Sequence, residues 1–219
     1  MTPSPVRPFG LVLVPAALTL AVTLLRLAGE LRGWPTPWVS KAPGGGGALI
    51  GITWLVPVFG AWFGWRLAGA GGRPSRPGRA LLLHVAALVV YIAGFQVIGR
   101  VPALDGGTAG GLVAQILTMG GVSVLAMLLA FAAWPRLCTV DLVYALLARA
   151  PTALITFLAV FGDWGTHFEQ FGRNDYHEFG PWPHAALLAF AQLVFWPAFT
   201  AAVGGLFGTL AAMLRRKAA

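Results

Sequence analysis

Apolar residues in this chain fall in long runs, separated by short stretches rich in glycine, proline and charge. Runs near or above about 18 apolar residues read as membrane-spanning helices. Six such spans are predicted, over residues 9–29, 48–68, 80–99, 111–134, 140–161 and 185–214. The predicted fold class is therefore all-α, a single polytopic membrane domain over residues 1–219. The first run is too long for a signal-peptide core, and no small-x-small cleavage site follows it. Pro57 and Pro197 fall within spans two and six. Neighbouring helices are expected to satisfy the carbonyls they free.

Composition supports the same reading. Apolar residues make up 58% of the chain and charged residues only 10%, against about 25% charged in soluble domains. The net charge is +8, but the basic residues cluster at the ends of apolar runs. That placement argues against nucleic acid and for anionic lipid headgroups as the partner. The distribution also sets an orientation. With both ends cytoplasmic, the inner side collects Arg7, Arg66, Arg73, Arg76, Arg79, Arg136, Arg215, Arg216 and Lys217. The outer side holds Arg26, Arg32, Lys41, Arg100 and Arg173, with every acid except Asp141. Cationic residues favour the cytoplasmic side, which sets the expected direction. Cys138 is the only cysteine, which excludes an internal disulfide or a cysteine cluster.

The longest polar stretch, 162–184, is predicted to be an aromatic and acidic interfacial segment on the outer face. It gathers His167, Glu169, Asp175, His177, Glu178 and His184. These are nitrogen and oxygen donors of the kind that bind zinc, so they form the candidate metal set. Their spacing matches no metal-binding pattern, and a self-paired loop is the competing reading. The four glycines at 44–47 read as a flexible link, because no Lys-Ser/Thr follows to make a phosphate cradle.

Inside the apolar runs, Arg149 and His84 are the candidate intramembrane polar residues. Arg149 either caps carbonyls freed by Pro151 or lines a polar pathway. His84 has no second histidine at a matching depth, which argues against haem; it is expected to be a hydrogen-bonded packing residue near Arg149 in depth. Gln96, Gln115 and Gln192 sit toward the outer ends of their spans, placed for interhelical hydrogen bonds or a shallow outer cavity. Gly60 and Gly64, like Gly204 and Gly208, recur four apart, the spacing that lets helix backbones approach. Ser123 lacks the downstream Gly and the partner histidine that an intramembrane serine protease needs.

The run Gly162-Asp-Trp-Gly-Thr-His-Phe and the later Phe195-Trp-Pro-Ala-Phe-Thr-Ala-Ala-Val-Gly-Gly-Leu-Phe-Gly resemble segments of uncharacterised bacterial multi-pass membrane proteins. The resemblance covers the last third and implies a bacterial membrane setting, with no activity attached. Two functions are in play. One is a non-enzymatic small transporter, channel-like homo-oligomer or membrane-complex subunit associating through its Gly/Ala stripes. The other is a membrane enzyme or metal-binding protein using the outer His/acid cluster.

Overall fold

The computed structural model describes residues 8–104, 108–170 and 180–215. Among these the chain is helical, with no strand. The helices are α1 (Pro8–Leu31), α2 (Leu55–Gly69), α3 (Pro77–Ile98), α4 (Ala109–Ala133), α5 (Pro135–Gly162), α6 (Pro181–Phe190) and α7 (Trp196–Leu214). A π-helical turn, Ala191–Phe195, joins α6 to α7 into one rod. Five rods, Phe9–Leu31, Pro77–Ile98, Gly110–Ala133, Pro135–Gly162 and Pro181–Leu214, are long and apolar enough to cross a membrane. Their outward faces carry apolar side chains such as Leu82, Leu117, Leu128 and Leu154, all exposed. Hydrocarbon is the solvent that suits such faces.

Proline sets several boundaries that differ from the expected ones. The second span was expected over 48–68, but α2 covers only 15 residues. That is about 22 Å of helix, against a hydrocarbon core of about 30 Å. A proline ring clashes with the carbonyl four residues before it. Pro57 therefore resists extension back through Thr53 and sits in the first turn of α2 instead. The preceding residues fold back on the 33–47 loop, where Leu49 N–H donates to the Pro37 carbonyl and Ile50 N–H to that of Trp38. Likewise Pro135 does not close α4; it opens α5 at the first helical position, where its missing donor costs nothing. Pro181 opens α6 in the same way, so the interfacial segment expected to run to His184 gives up its last four residues to a helix.

The rods form one bundle around α5 and α7. α2 runs parallel to α7: Gly60 faces Gly204 and Gly64 faces Gly208, backbone against backbone. A methyl group added at Gly60 or Gly64 would land on the α7 main chain. Both small-residue stripes are thus occupied within one chain, and neither is free to associate with a second copy. Phe63, Leu67, Leu137, Val140, Tyr144 and Ala212 pack around this seam. α1 lies parallel to α5, joined by a 2.8 Å hydrogen bond between Thr19 and Tyr144. α3 and α4 are antiparallel, with Gly94 opposite Val122.

One end of the bundle carries the 70–76 turn, Arg136 and Arg215. There Arg215 donates to the Trp65 carbonyl at 2.8 Å and stacks over the Trp65 ring. Arg73 donates to the Arg215 carbonyl, and Trp134 Nε1 donates to the Gly72 carbonyl at 3.0 Å. The opposite end carries the 33–54 loop and residues 163–170. These are called the basic end and the loop end below.

Candidate functional site

A cavity of about 400 Å³ opens toward the loop end. α1, α3, α4, α5, the α6–α7 rod, the 33–54 loop and residues 167–170 all contribute to it. Its walls are largely apolar, formed by Tyr91, Phe95, Met119, Leu188, Phe195 and Trp196. This is the size and lining of a small-molecule site.

Arg149 supplies the charge. It sits in α5, is only 5% exposed, and lines the cavity. Its Nη1 donates to Gln192 Oε1 at 3.1 Å, and its guanidinium lies 4.2 Å from the centre of the Trp196 ring. Both partners come from the π-turn region. Pro197 cannot donate within a regular helix and would clash with the Leu193 carbonyl. The backbone widens by one residue across Ala191–Phe195 to absorb this. The widened turn aims Gln192 and Trp196 at Arg149. Among the described residues the ion pairs involve Arg26, Glu30 and His167 only, and no carboxylate of theirs neutralises Arg149. Of the two expected roles, the structure places Arg149 in the wall of a cavity.

A second polar group closes over the mouth. Glu30, fully buried near the end of α1, accepts from Arg26 Nε at 2.8 Å. Its other oxygen accepts the His167 backbone N–H at 2.8 Å, and His167 Nδ1 lies 2.6 Å from Oε1. Arg26 in turn donates to the carbonyls of Ser40 and Gly45 at 2.8 and 3.1 Å. One carboxylate therefore ties α1 to both loops. Arg26, Gly44, His167 and Phe168 also line the cavity. The glycines expected to form a flexible link have a packing role here. Gly44, Gly45 and Gly47 take left-handed φ angles, and a Cβ at Gly45 would meet the Arg26 guanidinium at 2.7 Å. Burial holds the His167 imidazole below the ordinary histidine range, with the Arg26 charge adding to the effect and Glu30 opposing it.

The candidate metal residues separate. His167 belongs to the cavity mouth. Glu169 folds back on its own 3₁₀ turn, accepting from Gly165 N–H, Thr166 N–H and the Thr166 hydroxyl at 3.0 to 3.1 Å. His184 shares a smaller cavity of about 200 Å³ with Glu169 and Asp163. Among the described residues no three of His, Cys, Asp and Glu form a metal-binding group. Asp175, His177 and Glu178 lie outside the described residues.

His84 does not share the depth of Arg149. Its Nδ1 lies 3.1 Å from the Thr209 hydroxyl, 13 residues along α7 from Trp196. That is roughly 20 Å nearer the basic end. It packs against Gly205, where its ring occupies the space of the missing side chain. Gln192 joins the site, while Gln96 is exposed. Sequence reasoning missed two buried acids. Glu30 was signalled by the i,i+4 Arg-Glu spacing inside an apolar helix. Asp141 is fully buried in α5 beside Gly204, with neither oxygen hydrogen-bonded among the described residues; the span expected from 140 put it at a boundary, whereas α5 begins at Pro135 and carries it inside the helix.

Comparison with protein families, characterised proteins and solved structures found no match.

Proposed function

We propose that this chain is a non-enzymatic solute-binding membrane protein, a small carrier or the binding subunit of one, set in a bacterial cytoplasmic membrane. Both ends face the cytoplasm, and the cavity opens to the outer side. α2 serves as a short sixth crossing, buried against α7. The charge asymmetry supports this direction: Arg66, Arg73, Arg76, Arg79, Arg136 and Arg215 gather at the basic end, where cationic residues and anionic headgroups favour the cytoplasmic leaflet.

The carrying observation is Arg149. A buried guanidinium without a carboxylate is costly in a membrane interior, and intramembrane charges of this kind mark substrate pathways. Here it faces a cavity of the right volume with an apolar lining.

The test uses Thr152→Cys. Thr152 is 3% exposed and lines the cavity one turn from Arg149. In a Cys138→Ala background it is the sole thiol. A membrane-impermeant maleimide added to intact cells is expected to label it. Labelling only after the cells are opened, or not at all, would overturn the reading.

A further inference from the structure

We propose that the cavity's ligand is an organic monoanion with an apolar body, its acid group held end-on by Arg149. The inference rests on the outward-open cavity and adds the chemistry of its occupant.

The charge balance comes first. Among the described residues two guanidinium groups line the cavity, those of Arg26 and Arg149. Arg26 is neutralised by Glu30 at 2.8 Å and spends two further hydrogen bonds on loop carbonyls. It has no charge to offer a ligand. Among the described residues Arg149 has one neutral hydrogen-bond partner, Gln192, and no acid. The described lining therefore carries one uncompensated positive charge, which a single negative charge completes.

Geometry sets the form of the contact. A guanidinium has five N–H donors in a plane. Trp196 covers one face of that plane, and Gln192 takes one donor from Nη1. The remaining edge is left for a two-point contact with a carboxylate or phosphate, the pairing that arginine's fork favours. The walls specify the rest of the molecule. Tyr91, Phe95, Leu188, Phe195 and Trp196 make a pocket for an aromatic or aliphatic body, and water is a poor competitor for such a surface. A dianion would leave one charge unpaired among these rings, which is costly.

Two sources supply this chemistry, a free organic acid and the phosphodiester of a lipid headgroup, and the experiment separates them. In the Thr152→Cys, Cys138→Ala chain in nanodiscs, the rate of maleimide labelling is measured with three near-isosteres: phenylacetate, phenylacetamide and phenethylammonium. Phenylacetate is expected to protect the thiol at a concentration at least about tenfold below that of the amide, the margin of one charge-assisted contact. Phenethylammonium is expected not to protect. Arg149→Gln should erase the preference for the anion, and Arg149→Lys should recover only part of it, having charge without the fork. Dihexanoylphosphatidylglycerol is run alongside. If it protects at lower concentration than phenylacetate, the monoanion is a lipid headgroup; the reverse order makes it a free acid.

Equal or better protection by the amide or the ammonium compound would overturn the ligand assignment while leaving the cavity intact. A thiol that does not react even without ligand would instead remove the cavity itself. The isostere series needs no change at Arg149, so it stands even if the Arg149 variants fail to fold.

Discussion

Single residues decide where this bundle can be changed. Gly64 is the tightest case, because any side chain there meets the α7 backbone at Gly208. Gly64→Leu is expected to lower stability by about 3 kcal/mol, the upper range for overpacking a close contact, read as a drop in melting temperature of purified protein. Glu30→Gln should be comparable. It leaves Arg26 buried without its counterion, a loss of about 3 kcal/mol, and it releases both loops. Protease cleavage within 33–54 is the measurement, and unchanged resistance would count against the role given to Glu30. The two residues differ in how readable they were. The four-residue spacing of Gly60 and Gly64, and of Gly204 and Gly208, was visible in the sequence, but which stripe meets which is a matter of packing. Arg26 and Glu30 are likewise an evident helical pair. Their third member, His167, lies 137 positions beyond Glu30, and no local signal links them.

At the scale of elements, apolar runs located the rods and proline moved their ends. The existence of α1, α3, α4, α5 and the α6–α7 rod follows from the length of the oily stretches. The start of α2, the start of α5 and the π turn follow from Pro57, Pro135 and Pro197, whose effects depend on which position in a helix each ring occupies. The π turn matters most, since it brings Gln192 and Trp196 to Arg149. Periodicity read as a regular helix could not show that.

The 3₁₀ turn at His167–Glu169 gives the element-scale pH prediction. Its histidine faces Glu30 and Arg26 from α1, with Glu169 in its own turn. The folded state disfavours the His167 proton, because burial is the largest influence on the ring. The docking it supports is therefore complete above the unfolded histidine value of about 6.5, and is lost as pH falls through the lower folded value. Hydrogen-exchange protection factors at 166–170 should decrease from pH 7.5 toward pH 5, and His167→Gln should flatten that dependence. A turn whose protection rises on acidification would contradict this sign.

The whole molecule is a helical bundle whose outward faces suit lipid and whose two ends differ in charge. Its cavity opens away from the arginine-rich end. That relation links composition to the site: under the proposed orientation, the cavity faces the outer compartment. Hydropathy made the helical bundle legible from sequence, while the direction drawn from the arginines belongs to the proposal. The cavity was not legible, because it is built from residues on seven separate segments. The most direct test is the sidedness of two single cysteines in the Cys138→Ala background. Ser40→Cys lies at the cavity mouth, where the Ser40 carbonyl holds Arg26, and Ser75→Cys lies in the turn at the basic end. An impermeant thiol reagent should label Ser40→Cys in intact cells and Ser75→Cys only after the membrane is opened. Labelling of both in intact cells, or of Ser75→Cys alone, would contradict the account.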